Sequence, residues 1–172
     1  MTIREAMLTD ARGIAKVHVD AWRSTYTGII PIAHLDALSY EKGTEKIARW
    51  FVHPFPQLKI FVAEHATEGI VGFASGGLER DQDPVYKGEL FAIYILQRWQ
   101  RGGIGRVLVK RIADHIASLR VSNMITWVLE ANPSRLFYEK LGGALVRKKM
   151  IEIGGKSLEE IAFGWADISA FK

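Results

Sequence analysis

Apolar positions recur along this chain with the periods of strands and helices, and turn residues separate the runs. Ile3 to Ala6 reads as a short first strand. Beyond Thr9, the expected N-cap, Ala11, Ile14, Ala15, His18 and Trp22 fall on one helical face. Gly28 and Pro31 break the chain, and Ile32 to Phe51 resumes as helix in two pieces, interrupted near Ser39 to Gly43. His53-Pro54-Phe55-Pro56 is a loop, and Trp50, Phe51 and Phe55 read as packing residues. Lys59 to Glu64 and Ile70 to Leu78 form a hairpin turning near Thr67-Glu68-Gly69. Glu79 to Pro84 is a charged loop. Glu89 to Leu96 is nearly all apolar, as in a strand covered on both faces. Ile104, Leu108, Ile112, Ile116 and Leu119 then make one helical stripe. Met124 to Leu129 is a strand. Asn132, with Pro133 at the first helical position, caps a short helix that Gly142 ends. Val146 to Ile153 and Leu158 to Trp165 close as a hairpin around Gly154-Gly155.

This order predicts an α+β fold: a mixed, mostly antiparallel central sheet with helices on both faces. The chain has 172 residues, of which 48% are apolar. That is enough for one core, and no repeat or linker divides it, so a single domain over residues 1–172 is expected. The net charge of +4 suits an anionic ligand. The basic residues are scattered, which argues against nucleic acid as a partner. The absence of cysteine excludes disulfides, thiolate metal sites and a cysteine nucleophile. No signal-peptide run or membrane-length apolar segment is present, so a cytoplasmic protein without a membrane partner is expected. The histidines at 18, 34, 53, 65 and 115 lack metal-ligand spacing, and no metal is expected. His18, on the apolar helix face, reads as a core histidine.

Gln100-Arg101-Gly102-Gly103-Ile104-Gly105 lies between the buried strand and the amphipathic helix. Glycines let backbone N–H groups approach a ligand, and the helix start adds unsatisfied donors and a positive dipole end. The combination suits an anion such as a pyrophosphate. The dinucleotide pattern G-x-G-x-x-G fails, because its third glycine would fall at Leu108. A Walker loop ending in Gly155-Lys156-Ser157 fails as well, because its first position is Met150. A nucleotide hydrolase is therefore a poor reading.

What remains is Q-x-x-G-x-G in a strand–loop–helix setting. It resembles the acetyl-coenzyme-A loop of the GNAT superfamily of N-acetyltransferases. Glu89-Leu90-Phe91-Ala92-Ile93-Tyr94-Ile95 is similar to that family's fourth strand with an acid at its start. Asn132 followed by Phe137-Tyr138-Glu139-Lys140-Leu141-Gly142 is similar to its later F-Y-x-K-x-G motif. The resemblance covers about Lys59 to Trp165. It departs from the family at Gly102, where many relatives carry a basic residue, and Arg101 or Arg106 would have to supply that phosphate contact.

The resemblance implies acetyl-coenzyme A as co-substrate and a small-molecule or peptide amine as acceptor, with direct attack in a ternary complex. Homodimers are common among such relatives. The pyrophosphate is expected at Arg101, Gly102, Gly103, Ile104, Gly105 and Arg106, and the pantetheine arm beside Ile93, Tyr94, Ile95 and Asn132. Glu89 is the candidate base, since a carboxylate entering an apolar strand is poised to take a proton. The bland reading is a solvated strand end. Tyr138 is the candidate acid for the leaving thiolate, or else an aromatic packed beside Phe137. Asn132 serves equally as a helix cap. Trp22, Arg23 and Tyr26 stand where the family builds its acceptor wall, and the aromatic rings of Trp22 and Tyr26 would hold an amine by cation–π contact. Trp22 is equally a core residue. A non-catalytic acyl-coenzyme-A sensor of the same fold is the rival reading; it would need neither Glu89 nor Tyr138.

Overall fold

The computed structural model describes residues 1–53 and 57–171, so Phe55 and the loop through it lie outside the described residues. Seven strands form one sheet: β1 (Thr2–Glu5), β2 (Lys59–His65), β3 (Gly69–Leu78), β4 (Gly88–Ile95), β5 (Met124–Leu129), β6 (Ala144–Ile153) and β7 (Lys156–Trp165). Their spatial order is β1-β2-β3-β4-β5-β7-β6, and only β4 and β5 pair parallel. The connection between those two carries helix α4 (Ile104–Ser118), as a parallel crossover requires. The expected α+β class is observed.

Alternation along β2 explains the layers. Ile60 and Val62 pack under α1 (Ala11–Tyr26) and α3 (Tyr40–Val52), whereas Phe61 and Ala63 pack with α4 on the opposite face. Trp50 and Phe51 join the α1 and α3 side, as their reading as packing residues requires. The α4 stripe Leu108, Ile112 and Ile116 is fully buried.

Two local expectations are corrected. Thr9 does not cap α1; a single 3₁₀ turn (Leu8–Asp10) precedes the helix. Asp10 supplies the side-chain acceptor there, taking the Met7 N–H at 2.8 Å and the Arg4 guanidinium at 2.6 and 2.8 Å. The break between α2 (Ile32–Asp36) and α3 falls at 37–39, where the Ser39 hydroxyl caps α3 by accepting the Lys42 N–H.

The feature that positions the site is a bulge in β4. Ser75 faces Ala92 and Gly76 faces Leu90, which leaves Phe91 as an extra residue. A bulge bends its strand. The pairing of β4 with β5 ends at the same place: Gly88, Glu89 and Leu90 pair with Met124, Ile125 and Thr126, and no pair follows. The Thr126 hydroxyl closes the fork by donating to the Leu90 carbonyl at 2.9 Å. Beyond Leu90 the two strands diverge, and β5 continues along β7 through Leu129.

Candidate active site

The divergence opens a cleft whose β4 wall has free backbone groups. The Leu96 N–H bonds the Val71 carbonyl at 2.9 Å, so by alternation Tyr94 turns its peptide groups toward β3, and Ile93 and Ile95 turn theirs into the cleft. The Gln100 amide reaches back to the Ile95 carbonyl at 3.0 Å and fixes the loop to the strand end. Arg101 and Gly103 both have left-handed φ, +63° and +83°. The chain therefore curls before α4 starts, and Arg101, Gly102, Gly103 and Arg106 are exposed. Arg101 and Arg106 have no ion-pair partner among the described residues.

The two later glycines of the loop differ in physical role. A Cβ on Gly103 would meet nothing within 4 Å, so its neighbourhood is open space in front of the helix N-terminus. A Cβ on Gly105 would stand 3.0 Å from the Phe137 ring and 3.4 Å from Ile95. Gly105 lets α4 sit against α5 (Arg135–Lys140), the helix that carries Tyr138. Gly105→Val is therefore expected to lower the melting temperature by displacing Phe137. Gly103→Val is expected to weaken coenzyme A binding, with a backbone strain of about 1–3 kcal/mol at its positive φ. Melting curves and calorimetry on both variants check this. An unchanged melting temperature in Gly105→Val, or unchanged affinity in folded Gly103→Val, contradicts it.

A cavity of about 70 Å³ inside the fork brings together Tyr26, Ile93, Tyr94, Ile95, Asn132 and Tyr138. Asn132 is 5% exposed and is used twice. Its carbonyl oxygen accepts the Ser134 N–H at 2.8 Å, and its amide donates to the Tyr26 hydroxyl at 3.2 Å. The helix it introduces begins at Arg135, later than Pro133, because this side-chain turn occupies the intervening residues. Tyr138 packs on Phe163 with ring centroids 5.8 Å apart and contacts Trp165 and Phe137. Burial pushes its hydroxyl well above the ordinary tyrosine range, so it holds its proton. Tyr26 and Tyr94 are raised for the same reason.

A second cavity, about 240 Å³, adjoins the fork and is lined by Trp22, Tyr26, Glu89, Tyr94, Trp127 and Glu160, among others. Glu89 is 3% exposed, and the solvated reading of it is wrong. The Arg80 guanidinium donates to its Oε1 at 2.5 Å and its Oε2 at 3.0 Å, and lies 4.1 Å from the Phe91 ring centre. Glu160, half-buried on β7, has its pKa raised by desolvation, with Glu89 and Asp81 adding to the rise and Lys149 opposing it. The Trp22 indole N–H is buried without a hydrogen-bond partner. It lies near the Tyr94 hydroxyl, close enough to favour that group's ionised form but outside hydrogen-bond geometry. Orphaned buried donors are rare and call for an acceptor.

Arg23 lies elsewhere. It donates to the carbonyls of Leu35 and Leu38, at 3.5 and 2.9 Å, and anchors α2. His18, T-shaped against Tyr94, is held neutral by desolvation and by nearby Lys46, its pKa down to about 4. Arg80, Thr126, Trp127 and Glu160 were not singled out from the sequence. A charged pair, Glu159-Glu160, in front of the buried end of β7 was the one available signal. Arg80 gave none, since only the β3–β4 register brings it onto Glu89.

Comparison with known proteins bears on the family and the fold. Residues 74–151 match the FR47-like protein family. The chain is 42% identical over 172 residues to the N-acetyltransferase YuaI of Bacillus subtilis, covering all of this chain and 96% of that protein. It is 31% identical over 146 residues to an N-acetyltransferase of Mycobacterium tuberculosis, covering 80% of this chain and 76% of the relative. The fold is similar to that of an acetyltransferase from Salmonella typhimurium solved with acetyl-CoA, with a TM-score of 0.73 at 21% identity over 96% of this chain and 94% of the other.

Proposed function

The chain belongs to the GNAT superfamily of acetyl-CoA-dependent N-acetyltransferases, and from that premise we propose that it acetylates a primary amine by direct attack in a ternary complex, using Glu89 and Tyr138. The observation that carries this reading is the fork after Leu90, with Glu89 on one side and Tyr138 on the other. The residues present fit the co-substrate. The loop from Arg101 to Arg106 offers open space at Gly103 in front of the helix start, an exposed stretch from Arg101 to Gly103 and two guanidinium groups without an ion-pair partner among the described residues. Ile93 and Ile95 offer cleft-facing peptide groups that an extended pantetheine amide chain would join as an added strand, and Asn132 borders the same passage.

Bound acetyl-CoA supplies an acetyl carbonyl as electrophile and a thiolate as leaving group. The chain's own residues do the rest. Trp22, Tyr26 and Trp127 wall the cavity in which the acceptor nitrogen waits; the rings of Trp22 and Tyr26 favour an ammonium, while the Trp127 ring already carries the Lys149 ammonium 3.9 Å from its centre. Glu89 takes the proton that the ammonium must lose before nitrogen is a nucleophile. Arg80 keeps that carboxylate fixed against the bulge. A cleft-facing N–H of β4 stands ready for charge developing on the carbonyl oxygen. Tyr138 donates its proton toward the departing sulfur; solvent takes the second proton that nitrogen sheds as the amide forms and returns one to Tyr138.

The test is thiol release from acetyl-CoA across a panel of amines, with binding measured in parallel. Amine-dependent release supports transfer. Tight binding with no release by any amine contradicts it and favours a sensor.

A further inference from the structure

A third cavity, about 480 Å³, lies on the other side of Arg80 and Phe91 from the Glu89 cavity. It is enclosed by α1, α3 and the outer face of β3 and β4. Its walls are apolar, with Val19, Ile47, Phe73 and Ala92 among them. Its charged lining residues are all basic: Lys42, Lys46 and Arg80. Lys42 and Lys46 stand one turn apart on α3, so they repel each other at the i,i+4 spacing and cost the helix a little stability. Neither has an ion-pair partner among the described residues. His18, which faces the same space, feels the Lys46 charge, so that charge acts inward as well as toward solvent. The adjoining Glu89 cavity has the opposite character, with Glu89, Asp81 and Glu160 against Arg80 and Lys149. Arg80, Phe91 and Tyr94 line both, so the two spaces share a wall.

We infer that the acceptor is itself bipolar, an amine on an apolar body that carries a carboxylate or similar oxyanion. The oxyanion enters the basic cavity at Lys42 and Lys46, and the amine reaches Glu89 past Phe91. The inference rests on the reading of the Glu89 cavity as the place of acetyl transfer. It excludes a polyamine as the preferred acceptor, because a second ammonium would face two lysines without a carboxylate partner among the described residues, Lys46 having only the Trp50 ring.

Thiol release is compared for leucine against isopentylamine and for aminohexanoate against pentylamine, pairs that differ only in the carboxylate, with cadaverine as a dication. The carboxylate member of at least one pair is expected to have a kcat/KM about tenfold higher, the effect of one hydrogen bond to a charged group. In the Lys42→Gln/Lys46→Gln double variant that ratio is expected to fall toward one. Both lysines are exposed, so the fold tolerates their replacement. Equal kcat/KM within both pairs, a preference for cadaverine, or an unchanged ratio in the double variant overturns the inference while acetyl transfer stands. No release with any amine, despite bound acetyl-CoA, overturns the transfer reading and this inference together.

Discussion

Tyr138→Phe is expected to lower kcat by about a hundredfold to ten-thousandfold, the usual worth of a positioned proton donor, and to leave coenzyme A affinity unchanged. The ring is held by Phe163, Trp165 and Phe137, so phenylalanine fills the same space. Only the hydroxyl is lost, and with it the proton offered to the leaving sulfur. Burial raises the hydroxyl's pKa, and this has two consequences. Tyr138 is fully protonated at neutral pH, so every molecule is ready to donate. It is also a weak acid, so it donates as negative charge builds on sulfur, in step with bond breaking. An effect confined to that step appears in kcat and kcat/KM alike, with the dissociation constant for coenzyme A unmoved. Single-turnover rates and calorimetry on the variant check both parts. A raised dissociation constant with unchanged kcat would make the hydroxyl a binding group.

The elements of this fold were legible because their periods were clean. The α4 stripe is a direct record of which side each residue buries, and along β2 successive apolar residues alternate between the two cores. The glycine loop was legible for a similar reason, since a left-handed φ at Gly103 and close packing at Gly105 each demand the smallest residue. The fork was only half legible. An apolar run from Glu89 to Leu96 predicts a strand, and it carries no sign that one residue, Phe91, is extra. A bulge is a mismatch between two strands, so it is a property of register and not of either sequence alone. The same holds for Arg80. In sequence it belongs to a charged loop, and only the hairpin register sets it on Glu89, nine residues later. Glu160 and Trp127 come from β7 and β5, paired through Leu129 and Ala162, and no local spacing relates them to the loop. The candidate-site residues that sequence reasoning reached lie within motifs or, for Trp22 and Tyr26, at the end of the first helix. Those it missed are brought in by strand pairing across long separations.

The divergence of β4 from β5 also divides one strand edge in two. Up to Leu90 its backbone is committed to β5; beyond the bulge the same edge is open to a ligand. The Thr126 hydroxyl on the Leu90 carbonyl marks the boundary and keeps the last protein–protein pair from fraying. Glu89 therefore sits on the rigid side of the fork, one residue before the cleft. That placement gives a base a fixed position, and Arg80 reinforces it.

Glu89→Gln is expected to reduce kcat/KM at neutral pH by about a hundredfold to ten-thousandfold, with partial recovery at high pH. Glutamine keeps the shape and the hydrogen-bond reach toward Arg80 but has no lone pair basic enough to take the amine's proton. At high pH the acceptor is already unprotonated, so the base is needed less, and the variant approaches wild type. Arg80 is half-exposed and can turn its freed donors to water, so the fold is expected to survive and melting curves to show it. Glu160→Gln is the control that separates the two carboxylates of this cavity. A general base acts only when deprotonated, so kcat/KM rises with pH through its pKa. Burial lifts the pKa of Glu160, so if Glu160 were the base, that rise would fall above the ordinary carboxylate range and vanish in Glu160→Gln. With Glu89 as the base, Glu160→Gln keeps most of the wild-type kcat/KM at neutral pH and Glu89→Gln does not. Wild-type activity in Glu89→Gln at every pH would remove Glu89 from the chemistry and leave it, with Arg80, as the brace that holds the bulge.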